Sequence, residues 1–354
     1  MKRFLIGVSA AVMCLGALAQ APAGLKALEA AARTEGRVVS VGMPDGWANW
    51  RDTWADLQRL HGLSHVDSDM SSAEEIAKME AERSNASVDI GDVGFEFGAI
   101  AKARGITQAY KPSTWEQIPA WAKDPDGHWA VAYTGTIAFA VNTKRWPNPP
   151  RSWKALFQGG PQGAYRVQIG EVGRAAQGNA AVLAAAIALG GSETQLQAAL
   201  AQFAQIAKQQ RLITTNPSPA LMERGEADVY VLWDFNGLSY RDKIPNGADF
   251  QVFIPSDGSV TSGYTTIINK FAPHPNAAKL TREFIFSDAG QVNLARGNAR
   301  PVRIASVKLP AEVAAKLIDS AQYQKARAVK PALWADEVKK LPRAWQKEVM
   351  AAGS

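Results

Sequence analysis

A chain of 354 residues is long for one compact core and calls for two lobes. Its 47% hydrophobic and 20% charged content is ordinary for a water-soluble globular protein. The 39 basic and 33 acidic residues are scattered with no Lys/Arg run, so the net charge of +6 makes no nucleic-acid stripe.

Lys2 and Arg3 precede FLIGVSAAVMCLGALA, an apolar run with a small-residue end, too short for a membrane span. It reads as a secretion signal over residues 1–19, cut after Ala17-Leu18-Ala19 and before Gln20. The only cysteine, Cys14, leaves with it. Its alternative use as a lipid-attachment site is a poor match, because bulky Met13 sits where a small residue is wanted. The mature chain then lacks disulfides, thiolate metal sites and cysteine nucleophiles.

Residues 24–35 have the spacing of a short amphipathic helix, stopped at Gly36. Residues 38–41 read as a strand. After the turn MPDG (43–46), Trp47, Trp50, Trp54, Leu57 and Leu60 recur at helical spacing up to Gly62. Ser72 with Glu75 makes a capping-box pattern before a helix to about Arg83. VDIGDVG (88–94) reads as a strand running into a Gly-rich turn, with a helix over 97–104 closed by Gly105. Strand alternating with helix predicts an α/β fold with a mostly parallel sheet covered on both faces. Ligands of such sheets lie beyond the carboxyl ends of strands. That makes Asp45, Trp47, Asp92 and Glu96 candidates.

WAVAYTGTIAFAVNT (129–143) is a long extended run with a central Gly135, suited to connect two lobes. Residues 175–189 form a helix that is apolar all round from Ala180, hence buried. Gly190 and Gly191 stop it, and a second helix covers about 193–209. VLWDFNG (231–237) is a strand that ends on Trp233, Asp234, Phe235 and Asn236. A carboxylate and an amide between aromatic rings are costly to bury without partners. Residues 250–255 and 263–269 read as further strands.

PHPNAAKLTREFIFSDAGQ (273–291) resembles a segment, A-A-K-x-F-x-x-F-x-x-S-x-x-G-Q, late in the periplasmic solute-binding proteins of ABC importers. DVGFEFG (92–98), YTGTIAFAVNT (133–143) and IPSDGSVTSGYTTIINKFAPHP (254–275) also look like that family. The nearest branch holds ferric-ion, polyamine, thiamine and organophosphorus binders. The resemblance covers most of the mature chain. It implies a two-lobe periplasmic binding fold of type II. Each lobe is then a mixed, mostly parallel sheet flanked by helices, with the ligand cleft between the lobes. Residues 20–136 plus about 255–310 would form the first lobe. Residues 137–254 would form the second, with C-terminal helices of 311–354 packed on it. The family also implies a periplasmic monomer that closes on a small solute and delivers it to an inner-membrane ABC permease, with no cofactor, metal or covalent step.

Trp233, Asp234 and Asn236 are the foremost ligand-binding candidates. Rings can wall a cation, and the acid and amide can hydrogen-bond it. The alternative is a core Trp beside an Asp that caps the next turn. On the binding reading, Trp233→Ala or Asp234→Ala weakens binding and leaves the fold intact. Asp45 and Trp47 follow the first strand, with a helix cap and an inward-packed ring as the alternative. Glu96 flanks the turn after residue 94. Tyr133 and Thr134 lie at the proposed hinge. Arg174 precedes a helix whose N-terminus attracts anions. Tyr264 opens a strand after Ser262-Gly263.

These residues disagree about ligand charge. The acids with Trp47 and Trp233 favour an amine or polyamine, whereas Arg174 favours a phosphonate, phosphate or carboxylate. A zwitterion uses both. Ferric binders pair two adjacent tyrosines, and DFNGLSY offers only Tyr240. Polyamine binders usually carry an acid where this chain has Ser262-Gly263-Tyr264. The rival class is a secreted hydrolase. No G-x-S-x-G, P-loop or H-E-x-x-H pattern occurs, and Gly62 breaks the spacing of His61 and His65.

Overall fold

The structure, a computed structural model, describes residues 21–159 and 164–353. The leader, its cleavage site and Cys14 fall outside the described residues. The strands in chain order are β1 (Arg37–Val41), β2 (Ser64–Ser68), β3 (Ile90–Gly94), β4 (Thr107–Gln108), β5 (Trp129–Asn142) and β6 (Val167–Gln168). They continue as β7 (Leu212–Ile213), β8 (Val229–Trp233), β9 (Phe250–Phe253), β10 (Ser259–Asn269), β11 (Arg300–Pro301) and β12 (Ala326–Ala328).

The main hydrogen-bonded path runs β2-β1-β3-β10-β5-β8-β6-β7. On one side, β1 is parallel to β2 and β3, and β10 runs antiparallel to β3 and β5. On the other, β8 and β9 are antiparallel to β5, while β6 is parallel to β7 and β8. The architecture is therefore mixed α/β, as the alternation of elements predicts.

β5 belongs to both sides. Trp129 to Thr136 pair with β10, and Ile137 to Asn142 pair with β8 and β9. Its residues are buried almost throughout, so the strand reads as a continuous apolar run rather than an alternation. Gly135 sits near this changeover for a steric reason. A Cβ there would lie 2.9 Å from ring atoms of both Trp233 and Phe235.

Helix Ala176–Ala188 is buried from Gln177 to Ala186, as its all-round apolar sequence demands. Helix Gln197–Lys208 covers the same side, with Phe203 edge-on to Trp153 at 6.2 Å and to Trp345 at 5.6 Å. Trp345 ends helix Pro331–Trp345, which contains Pro342 and runs into a π turn, Gln346–Met350. A proline inside a helix removes one backbone donor and disturbs the preceding turn. The Pro342 ring fills the space that a Cβ on Gly173 would need, at 2.9 Å.

Three local details differ from the sequence expectation. The helix after β1 is Trp50–His61, and Trp47 lies in the turn before it. Ala48 and Asn49 there take left-handed φ values of 47° and 59°. Strand β2, SHVDS, has one apolar residue and half-exposed alternation, too faint a pattern to read as a strand. The capping box of helix Ser72–Ala81 uses Ser71 and Glu74, one residue earlier than the expected pair, which leaves Glu75 for another task.

Candidate functional site

A cavity of about 680 Å³ opens where the ends of β1 and β3 face the start of helix Ala176–Ala188. Trp47 and Tyr264 line it, with their rings edge-to-face at 5.3 Å. Phe235, fully buried, supports the edge of Trp47 at 5.3 Å. Tyr133 stacks on Tyr264 at 5.6 Å from behind. Edge and offset contacts of this kind hold rings in place beyond simple area burial.

A hydrogen-bond chain leaves this aromatic floor. Trp47 Nε1 donates to Tyr133 Oη at 2.6 Å, and Tyr133 Oη donates to Asp92 Oδ2 at 2.6 Å. Asp92 is buried in β3 and lines the cavity. Glu75 and Asp69 join it on the same wall. Burial is the main cause that pushes the Asp92 carboxyl up to about 8. Burial again, then the nearby Asp92 and Asp67, holds Glu75 well above the usual carboxylate range. Glu74 and Asp69 on the same wall are exposed, and partial burial raises Asp69 too.

The facing wall comes from residues 171–179 and from Asn216, Pro217, Asn236 and Tyr240. Arg174 is exposed and is the only basic residue lining the cavity among the described residues. The first backbone N–H groups of helix Ala176–Ala188 follow it, with the partial positive charge of a helix start. Gln177 fixes this helix to the neighbouring elements. Its Oε1 accepts from Trp233 N at 2.9 Å and Asn236 Nδ2 at 3.0 Å.

The structure thus brings five of the sequence-derived candidates, Trp47, Asp92, Arg174, Asn236 and Tyr264, to one cavity. The other six sit elsewhere. Tyr133 lies directly behind the floor. Trp233 is 1% exposed and packs on Gly135. Asp234 opens helix Asp234–Lys243 and is fully engaged. Its Oδ1 accepts from Thr136 N at 3.0 Å and Phe235 N at 2.9 Å, and its Oδ2 accepts from Tyr323 Oη at 2.6 Å. Thr134 is buried against Arg300 O at 3.4 Å. Glu96 is buried in the first turn of helix Phe95–Ala103. Asp45 is exposed and makes a loose ion pair with Arg51 at 3.7 Å, a contact worth little in water.

Sequence reasoning missed Glu75, Asp69 and Tyr240. For Glu75 the misleading signal is SSAEE, where a capping box can be written in two registers.

One cluster looks catalytic and is not. Ser40 Oγ donates to Asp67 Oδ1 at 2.5 Å and lies 2.8 Å from His65 Nε2. With the hydroxyl proton on Asp67, His65 must donate and cannot serve as base. A nucleophilic triad needs histidine between serine and acid. Ser40 is also fully buried. Among the described residues no cluster of three or more His, Cys, Asp or Glu side chains could hold a metal ion.

The raised Asp92 carboxyl makes a stability prediction. Its folded value, about 8, lies above the ordinary aspartate value of 3.8. The group therefore favours the folded state fully at pH below its unfolded value. That contribution is lost as pH rises through about 8. Asp234, pushed up to about 6 by burial, adds the same sign. The melting temperature of the free protein should be several degrees higher near pH 5 than near pH 8.5. Asp92→Asn should flatten much of that slope in thermal scans across this range, and an unchanged slope would refute the assignment.

An aromatic-floored cavity between two sheet regions that share one strand is the architecture of a solute receptor. The chain belongs to the bacterial extracellular solute-binding protein family, whose model matches residues 87–324. It is thus a binding protein by family. No curated protein matches the chain.

Solved structures share the fold at low identity. The periplasmic binding protein AfuA from Actinobacillus pleuropneumoniae, with fructose-6-phosphate bound, superposes with a TM-score of 0.70 at 19% identity, covering 88% of this chain and 98% of its own. A ferric binding protein from Campylobacter jejuni gives 0.67 at 17%, covering 88% and 98%. A putative spermidine/putrescine ABC transporter protein from Listeria monocytogenes gives 0.67 at 15%, covering 89% and 99%. Among the described residues no helix is long and apolar enough to cross a membrane.

Proposed function

We propose that this protein is the periplasmic receptor of an ABC importer, and that it encloses a small zwitterionic solute by closing its two lobes. One observation carries the reading: a single cavity has Arg174 on one wall and Asp69, Glu75 and Asp92 on the other. The aromatic floor of Trp47 and Tyr264 would carry the apolar middle of the solute. A cavity of this size suits a small organic molecule rather than a polymer. The lobes would follow the sheet regions on either side of β5. The closed form, a monomer, would present the solute to an inner-membrane permease, which reads the shift in population.

The structural neighbours do not choose the solute, since they include a fructose-6-phosphate complex, a ferric binding protein and a putative spermidine/putrescine transporter protein. The charge pattern disfavours a plain polyamine, which has no use for Arg174. It disfavours a simple anion, which would face the acidic wall. Saturable binding without turnover would support a receptor over a hydrolase.

The test is a thermal-shift screen over amino acids, aminophosphonates, diamines and simple anions, because a ligand specific for the folded state raises the midpoint. Zwitterions should lead it. A lead held by diamines alone would sink the reading. Arg174→Ala should weaken the best ligand by about 10- to 100-fold, as expected for loss of a charge-assisted contact. Its own melting temperature should stay at the parent value, because Arg174 is exposed. Calorimetric titration of the variant checks both points.

A further inference from the structure

The acidic wall contains two carboxyl groups with no basic partner. Glu75 is 1% exposed and Asp92 is 2% exposed, and both line the cavity. Glu75 Oε2 and Asp92 Oδ1 have no hydrogen bond of good geometry, although the Asp92 backbone N–H lies close to Glu75 and the Trp50 indole N–H lies close to Asp92. Buried polar groups nearly always find such a bond, so two adjacent exceptions in a ligand cavity ask for a cause.

The seat of Glu75 is built into the backbone. A Cβ on Gly42 would lie 2.3 Å from its Oε1, and a Cβ on Gly91 would lie 2.7 Å from its Oε2. Gly42 also takes a φ of +68°, where a side chain would be strained. Two strand-end positions are thus kept bare around one carboxyl. Asp92 is oriented instead by Tyr133, which holds one of its oxygens and is itself held by Trp47. The other oxygen is buried beside the cavity with only the Trp50 indole N–H near it.

The groups around the pair are acidic or neutral. Asp67 of β2 and Asp69 just after it act on Glu75, and Asp67 acts on Asp92. Glu74 lies beside Glu75 on its own helix. Tyr133 comes from β5, Tyr264 from β10, Tyr240 from helix Asp234–Lys243 and Trp50 from helix Trp50–His61. Glu96 is buried nearby on helix Phe95–Ala103. The facing wall contributes Glu171 and, as the only cation, Arg174. Two buried acids without a counter-ion cannot both be ionised at low cost, so in the empty receptor they retain protons.

We propose that Glu75 and Asp92 form the subsite for the protonated amine of the solute, and that seating the amine drives a proton off the pair into solvent. This rests on the receptor reading above. The bookkeeping balances: an alkylammonium enters, one carboxylic acid becomes a carboxylate, and one proton leaves. The charge of the buried wall is unchanged. The poorly satisfied oxygens gain strong donors, and the ammonium gains short charge-assisted bonds. Capture of the solute would then be favoured as pH rises toward the range where the pair ionises, and acid would release it.

The probes are 4-aminobutyrate and 2-aminoethylphosphonate, each beside its partner without the amine, butyrate and ethylphosphonate. Isothermal titration near pH 7 in PIPES, HEPES and Tris reads the proton count from the dependence of enthalpy on buffer. At least one aminated probe should bind at least about tenfold tighter than its partner. It should release about one proton. In Glu75→Gln and Asp92→Asn, both close in shape to the parent, the aminated-to-plain affinity ratio should collapse toward one. Circular dichroism confirms that each is folded.

Equal affinity of aminated and plain probes, with binding intact, would overturn the amine subsite and leave the receptor reading standing. So would tight aminated binding with no proton released, or with both variants keeping the parent ratio. If neither these probes nor any solute of the wider screen binds, the receptor reading fails and the subsite fails with it.

Discussion

Asp234→Ala should destabilise the fold by about 2–4 kcal/mol, because buried donors would be left unpaired. The carboxylate accepts from two buried backbone N–H groups and from the half-buried Tyr323 hydroxyl. The link to Thr136 joins helix Asp234–Lys243 to β5 at the point where that strand changes partners. The link to Tyr323 spans 89 residues of sequence. Affinity of the folded variant for its solute should stay within about threefold of the parent, since Asp234 does not line the cavity. Urea denaturation measures the first quantity and titration of the folded variant measures the second. Parental stability with strongly impaired binding would return Asp234 to the ligand site.

Trp47→Ala should have the opposite profile. A large ring in the centre of a binding cavity is the kind of contact that dominates affinity, and its loss costs about 2–4 kcal/mol, or roughly 30- to 1000-fold in Kd. The variant also loses the donor that orients Tyr133, and through it Asp92. Trp47→Phe keeps a ring against Phe235 and Tyr264 but cannot make that hydrogen bond, so it should lose about tenfold. Titration calorimetry on the parent and both variants provides the series. Alanine binding as well as phenylalanine would mean that the ring does not touch the solute. The backbone supports a positional role for Trp47. The next two residues hold left-handed conformations that are uncommon outside glycine. They are wedged against Gly297, where a Cβ would come within 2.5 Å of Asn49. Strain of this kind persists only where the surroundings enforce it.

Much of the fold can be read from the residues because its signals are local. Gly36, Gly62 and Gly105 mark helix ends through their positive φ values. The long apolar run of β5 and the helix after Arg174, apolar all round from Ala180, can only be buried. The site is less legible because it depends on partners far apart in sequence. The aromatic and acid pair at 233–234 is conspicuous, yet a strand end does not reveal which of its side chains meets protein and which meets solvent. The choice was made by Tyr323 and by the bare face of Gly135, neither of which carries a signal of its own. Glu75 was hidden by the opposite effect, a local motif that explained it too easily. The cap went to Glu74 instead, and Glu75 turned inward.

Because β5 runs unbroken through both halves, the relative facing of the two cavity walls is stored as a parity. Inserting one residue near Thr136 would send each following side chain of that strand to the opposite surface. Evolution can lengthen the surface loops of this receptor at little cost. The number of residues within β5 between its pairing with β10 and its pairing with β8 is less free, since an odd change there would turn the side chains of one part of the strand to the opposite face.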